Sequence, residues 1–124
     1  MFELTTIVDF EAAHCLRNYP GKCSRLHGHN WQVEVTVCGT KLNELGLLID
    51  FRDLKAAVQE ILGQLDHYYL NELPAFQEIN PSAENIAKYL YDELTAAPAC
   101  NGLHLKSIKV WESPRSAVTY FPEA

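Results

Sequence analysis

The sequence predicts an α+β domain in which two helices cover one face of a four-stranded antiparallel sheet, in the order β-β-α-α-β-β. Three observations predict this class: apolar and polar residues alternate through 2–14 and about 27–38, two central segments have helical periodicity, and two shorter alternating segments follow. Paired strands at both ends with helices between them favour helices on one face of an antiparallel sheet. A chain of 124 residues is expected to form one domain, 1–124.

The first two strands are predicted to bury one face each. In the first strand this face carries Phe2, Leu4, Val8, Phe10, Ala12 and His14. In the second it carries His27, His29, Trp31, Val33, Val35 and Val37. Between them, 15–26 is predicted to be a loop, because Tyr19-Pro20-Gly21 is typical of a turn.

The helices and the last two strands follow from capping signals and periodicity. Asp50 is the expected cap of a helix over 51–65, whose apolar residues recur on one stripe. Asn80-Pro81-Ser82-Ala83-Glu84 combines a cap residue, a proline in the first turn and an acid, and so predicts a second helix to about Thr95. Strands are expected over 103–112 and 116–121, joined by a tight turn. Uncovered edge strands in such a sheet indicate self-association.

Composition excludes several classes of function. A formal net charge of −6 argues against a broad nucleic-acid surface, which needs clustered lysine and arginine. The longest apolar runs are far shorter than the roughly 18 residues of a membrane span, and the N-terminus does not resemble a leader. We therefore expect a cytoplasmic protein without a membrane partner, whose four cysteines are thiols.

Three histidines end the apolar faces of the first two strands. Side chains alternate along a strand, so His27 and His29 share a face. Antiparallel pairing across the loop 15–26 would bring His14 beside them. Three neutral imidazoles form the ligand set of a catalytic zinc site with one open position, whereas structural zinc sites are usually closed by four ligands rich in thiolate.

Other residues are candidates for proton transfer and substrate binding. Glu112 shares the inward phase of Ile108 and Val110, and is either a solvated strand end or an acceptor for paired N–H groups of a flat heterocycle. Asp66-His67 is a weak motif by itself. The motif is of interest because the thiol of Cys23 needs a nearby base or cation to react. Adjacent side chains diverge in a straight strand, so Asp66 and His67 can act together only in a turn or at a helix end.

Several of these residues also belong to a set of motifs that occur in a known order. The set comprises Phe10-Glu11-Ala12-Ala13-His14, Cys23-x-x-x-His27-Gly28-His29, Leu65-Asp66-His67-x-x-Leu70-Asn71, Pro81-Ser82-Ala83-Glu84-Asn85 and Trp111-Glu112. Together they resemble the 6-pyruvoyl-tetrahydropterin synthase family over nearly the whole chain. The similarity is greatest to the bacterial branch of that family that makes 6-carboxy-5,6,7,8-tetrahydropterin in the queuosine pathway, including the stretch 49–55.

The resemblance implies a tunnelling fold assembled as a homohexamer, a dimer of trimers, with active sites between subunits. It implies that His14, His27 and His29 bind Zn²⁺ and that Glu112 anchors the pterin. It also implies that Cys23, Asp66 and His67 are catalytic, with the thiol and the Asp-His pair coming from different subunits. Of Ser82-Ala83, where relatives often have two hydroxyl residues near the pterin, only Ser82 is carried over as substrate-binding.

The implied reaction is that of a zinc-dependent lyase. It converts 7,8-dihydroneopterin triphosphate to 6-carboxy-5,6,7,8-tetrahydropterin, acetaldehyde and triphosphate. One alternative is 6-pyruvoyl-tetrahydropterin synthase activity, which eliminates triphosphate without loss of carbon. A more distant alternative is a non-enzymatic, zinc-stabilised binding module with Cys15 or Cys23 as a fourth ligand.

Overall fold

A computed structural model describes residues 1–21, 24–98 and 102–123 and has the predicted order of elements. The strands are β1 (Phe2–His14), β2 (His27–Gly39), β3 (His104–Ser113) and β4 (Ser116–Tyr120), and the helices are α1 (Phe51–Leu62) and α2 (Ala83–Thr95). Two short 3₁₀ turns, Leu70–Glu72 and Pro74–Phe76, connect the helices. In the part of the chain so described, no helix is long and apolar enough to cross a membrane.

The strands form one antiparallel sheet in sequence order, β1-β2-β3-β4. In the β1–β2 register His14 lies opposite His27, and Ala12 lies opposite His29. The pairing predicted from the phase of the two strands is therefore confirmed.

The core lies between the sheet and the two helices. Trp31, Val33, Val35 and Val37 on β2 are at most 1% exposed. They pack in one hydrophobic cluster with the apolar stripes of α1 and α2, which include Leu54, Val58, Leu62, Ile86, Leu90 and Leu94. Burial of a side chain of this size contributes about 1.5–3 kcal/mol, so this alternating row anchors the strand that carries His27 and His29.

The first helix ends three residues earlier than predicted, at Leu62 instead of Leu65. Gly63, a poor helix former, is its C-cap. The hydrogen bonding then changes to the three-residue spacing of a turn, in which the amide of Leu65 donates to the carbonyl of Leu62 at 2.9 Å. Leu65 is nevertheless buried in the core. Asp66 and His67 consequently lie in a turn, and His67 adopts a left-handed backbone with φ 64°.

The second helix begins differently from the prediction at its first residues. Ser82 is the N-cap, and its side chain accepts a hydrogen bond from the amide of Asn85 at 3.2 Å. Pro81 therefore precedes the helix and is not in its first turn. The acid of the predicted signal, Glu84, does lie in the first turn, where the helix dipole favours a negative charge.

Candidate metal centre and active site

The imidazoles of His14, His27 and His29 converge at the end of the β1–β2 pair. Their ring centroids are 4.5 Å apart for His14 and His27, 5.1 Å for His14 and His29, and 4.7 Å for His27 and His29. One ligand atom from each ring and one carboxylate oxygen of Glu112 all lie within 4.8 Å of one another. Four donors this close can surround a single cation.

Two of the rings are oriented by backbone carbonyls. The carbonyl of Pro81 lies 2.7 Å from Nδ1 of His14, and the carbonyl of Arg25 lies 2.7 Å from Nδ1 of His27. A carbonyl oxygen only accepts, so each Nδ1 carries the proton and each Nε2 keeps a free lone pair. Metal-binding histidines commonly have this arrangement, in which the second nitrogen donates to a carbonyl or carboxylate.

The inward nitrogens lack hydrogen-bond partners. Among the described residues, Nε2 of His14 and Nε2 of His29 are buried without a hydrogen bond. A buried polar atom without a partner costs about 1–3 kcal/mol, and a cation shared by the three rings would remove this cost. The donor set therefore fits a bound metal, and three imidazoles with an open position suit zinc.

Trp31 packs against two of the three imidazoles. It is fully buried, and its ring centroid lies 5.0 Å from that of His14 and 5.2 Å from that of His29, in edge-on contacts. Its indole N–H donates to the carbonyl of Ala12 at 3.2 Å, which fixes the ring against β1. On the side of Trp31, the imidazoles of His14 and His29 therefore contact the packed core and not solvent.

Burial also favours the neutral form of the imidazoles. Desolvation lowers the pKa of His14 from its ordinary value, the carbonyl of Pro81 opposes this in part, and His27 adds to the lowering. Desolvation likewise lowers the pKa of His29, with partial opposition from Glu112. Neutral imidazole is the form that binds metal, so the lowered pKa values favour the protonation state in which His14 and His29 can act as ligands.

Glu112 on β3 reaches the same point in space. Its Oε1 lies 3.1 Å from Nε2 of His29 and 3.9 Å from Nε2 of His14. The shorter contact is not a hydrogen bond, and among the described residues Nε2 of His29 has no hydrogen-bond partner. The carboxylate is therefore placed either to complete the metal shell or to receive a substrate beside it.

Asp66 and His67 form a second group on the turn after α1. Oδ1 of Asp66 lies 3.0 Å from Nδ1 of His67, and it also accepts the backbone amide of Glu11 at 2.9 Å. That amide hydrogen bond is the main reason that the pKa of Asp66 is lowered from its ordinary value. An ionised Asp66 orients the ring of His67, and this is a common arrangement for a histidine that transfers protons.

The two groups border a shared surface. A groove of about 490 Å³ is lined by His29 from the histidine cluster and His67 from the turn, together with Glu11, Tyr68 and Tyr69. A second groove of about 420 Å³ also includes His29, together with Glu112, Gln32 and Trp111. His29 therefore borders both the groove that contains His67 and the groove that contains Glu112.

The remaining site predictions have different outcomes. Cys23 lies outside the described residues, so its catalytic role stays a prediction. Ser82 is accounted for locally as the helix cap, and its substrate role also stays a prediction. The sequence gives little sign that Glu11 belongs to the site. It lies within Phe10–His14, where periodicity places it only on the face opposite Phe10, and nothing in the pattern indicates its partner Asp66, 55 residues away.

Comparison with known proteins agrees with this arrangement. The family model for 6-pyruvoyl tetrahydropterin synthase matches residues 3–123. The chain belongs to the 6-pyruvoyl tetrahydropterin synthase family. It is 40% identical to a 6-carboxy-5,6,7,8-tetrahydropterin synthase from Synechocystis sp., over 90% of this chain and 87% of that protein. It is 34% identical to a protein of the same name from Bacillus subtilis, over 98% of this chain and 86% of that protein.

A solved structure supports the fold of the family. The 6-pyruvoyl tetrahydropterin synthase of Caenorhabditis elegans superposes with a TM-score of 0.83 at 24% identity, covering 98% of this chain and 96% of that chain. The tunnelling fold predicted from the sequence is therefore confirmed.

Proposed function

We propose that this protein is a 6-carboxy-5,6,7,8-tetrahydropterin synthase, a lyase that converts 7,8-dihydroneopterin triphosphate and one water molecule to 6-carboxy-5,6,7,8-tetrahydropterin, acetaldehyde and triphosphate in queuosine synthesis. The observation that carries the proposal is the 40% identity to the relative of that name over 90% of the chain. The cluster of His14, His27, His29 and Glu112 supports it, because it supplies the metal and acceptor chemistry that such a substrate needs.

Zn²⁺ is the proposed cofactor, held by Nε2 of His14 and His27 and by His29. When bound, it would supply Lewis acidity toward the hydroxyl groups of the substrate side chain. The neighbouring groove that contains Glu112 would receive the pterin ring, since a carboxylate can accept two parallel N–H donors. Ser82 is a further proposed contact with the substrate.

Proton transfer is assigned to Cys23, Asp66 and His67. Oδ1 of Asp66 lies beside Nδ1 of the His67 ring, so Nε2 is the nitrogen that remains for the substrate. The proton exchanged with the substrate would therefore be carried on Nε2. Cys23 is the proposed second proton-transfer group. In this proposal residues 1–124 form one domain, six copies assemble as a dimer of trimers with intersubunit sites, and the enzyme is cytoplasmic.

Acetaldehyde decides the reaction, because its release requires cleavage of a carbon–carbon bond. The zinc-loaded protein would be incubated anaerobically with 7,8-dihydroneopterin triphosphate, and acetaldehyde and triphosphate would be measured together. Equal amounts of both are expected. Triphosphate without acetaldehyde would reassign the protein to 6-pyruvoyl-tetrahydropterin synthase activity. Release of neither from folded, metal-replete protein would favour a zinc-stabilised binding module.

A further inference from the structure

Glu11 contacts the Asp66–His67 turn through both its backbone and its side chain. Its amide donates to Oδ1 of Asp66 at 2.9 Å, and its carbonyl accepts the amide of His67 at 2.5 Å. Its carboxylate oxygen Oε2 lies 3.4 Å from Nε2 of His67. We propose that Glu11 is a positioning residue that holds the His67 ring in its working orientation during the reaction proposed above.

The His67 ring is held at opposite edges by two carboxylates. Asp66 faces Nδ1 at 3.0 Å, and Glu11 faces Nε2 at 3.4 Å. The His67 side chain is 73% exposed, so surrounding side chains do not restrict its rotation. One contact would leave the ring free to turn about it. With a proton on each nitrogen, the ring is attracted to both carboxylates and its plane is defined. Positioning of this kind contributes to catalysis by reducing the orientations that must be searched.

The backbone contacts explain why Glu11 can act on this ring. His67 has a left-handed backbone that only glycine adopts readily, so the turn needs support from its neighbours. Support comes from β1: besides the two contacts of Glu11, the amide of Ala13 donates to the carbonyl of Tyr68 at 3.1 Å. These hydrogen bonds do not involve the side chain at position 11. Replacement of the carboxylate should therefore leave the turn in place and change only the ring contact.

The carboxylate of Glu11 contributes little to the stability of the folded protein. The Glu11 side chain is 65% exposed, and an exposed ion pair contributes about 0–1 kcal/mol to folding. Glu11 also borders the groove that contains His29 and His67, where a substrate would meet the ring. In that groove the carboxylate of Glu11 faces the nitrogen that exchanges protons, so it sets the orientation of the ring before the substrate reaches that nitrogen.

The test is a double-mutant cycle between Glu11→Gln and His67→Ala, with acetaldehyde release as the readout. Glu11→Gln should lower kcat roughly two- to fivefold with KM within about twofold, and Glu11→Asp should recover part of the loss. In the His67→Ala background Glu11→Gln should cause no further loss, because its effect passes through the ring. Glu60→Gln, which removes the same charge from an exposed position on α1, should behave as wild type.

A second readout separates this inference from the proposed reaction. In substrate-free protein labelled with ¹⁵N-histidine, Glu11→Gln should shift the ring signal of His67 and leave those of His14, His27 and His29 in place. An unchanged His67 signal would overturn the inference, as would a kcat equal to that of Glu60→Gln or an equal loss in both His67 backgrounds. A shifted signal in a protein that releases no acetaldehyde would refute the reaction and retain the contact.

Discussion

Oε1 of Glu112 lies 3.1 Å from Nε2 of His29, so the carboxylate stands beside both the proposed metal site and the groove proposed for the pterin. We expect Glu112→Ala to retain one metal ion per chain, because three imidazoles are sufficient ligands. The variant should bind the pterin roughly 10–100-fold more weakly, since hydrogen bonds to a charged group contribute about 1.5–3 kcal/mol. Metal analysis and substrate titration measure the two effects separately. Loss of metal with unchanged substrate affinity would make Glu112 a ligand instead.

The histidine cluster predicts which residues retain the metal. His27→Ala and His29→Ala should each lose most of the bound zinc, because each removes one of three converging nitrogens. His104→Ala removes an exposed histidine at the start of β3 and is the matched control, with full metal content. Atomic absorption on purified, dialysed protein measures this. Full zinc in either His27→Ala or His29→Ala would contradict the ligand assignment.

The metal-free protein should lose stability as the pH falls below about 6.5. The pKa values of His14 and His29 are lowered in the folded state, mainly by desolvation. Between these pKa values and the ordinary one, the unfolded chain binds protons that the folded chain does not, so the free energy of unfolding rises with pH. Urea denaturation at several pH values measures the slope.

Two comparisons isolate the contribution of the cluster to this pH dependence. Zinc loading should flatten the slope, because bound imidazoles do not take up protons in this range. His29→Ala should reduce the slope of the metal-free protein, whereas His104→Ala should not. A free energy of unfolding that is constant or rises as the pH falls toward 5.5 would contradict the prediction.

Cys23 is expected to act in proton transfer and not as a ligand. Cys23→Ala should therefore keep its zinc and lose about 10²–10⁴-fold in turnover, the range typical of general acid–base groups. Cys15→Ser is a suitable control, because Sγ of Cys15 lies 3.1 Å from the hydroxyl of Tyr69 and serine can maintain that hydrogen bond. If Cys23→Ala loses the metal, the alternative of a closed zinc module gains support.

Ser82 has a structural role that can be separated from its proposed substrate contact. Ser82→Ala should lower the free energy of unfolding by about 1 kcal/mol, because the N-cap of α2 is lost. Ser82→Asp should restore most of this stability, since aspartate also caps helices. Thermal or urea denaturation measures the change. A KM that is unaffected in both variants would argue against contact with the pterin.

The phase of the strands was sufficient to predict that the three histidines converge. Side chains alternate with period two and antiparallel pairing preserves that alternation, so His14, His27 and His29 had to share a face once β1 paired with β2. The hydrophobic rows behind them predicted that the face is buried. These features depend on local pattern and on one hairpin, and both can be read from the sequence.

The rest of the site depends on contacts without a periodic pattern. Asp66 and His67 meet Glu11 only because Gly63 ends α1 early and the following turn lies against β1. The distance from Glu112 to His29 depends on the register of β3 on β2, which shifts at a bulge between Thr36 and Val37. Neither the end of a helix to within three residues nor a bulge is specified by apolar alternation.

The position of Trp31 would make metal binding by the histidine cluster visible in its fluorescence. Its ring is buried and contacts two of the three imidazoles, so we expect a change of charge or of bound ion there to alter its emission. Trp111, the other indole of the chain, lies under the ammonium group of Lys109 at 4.6 Å and supplies the background emission. With that second fluorophore replaced by phenylalanine, the emission of a single native side chain would report filling and emptying of the centre in real time, without a label or a substrate.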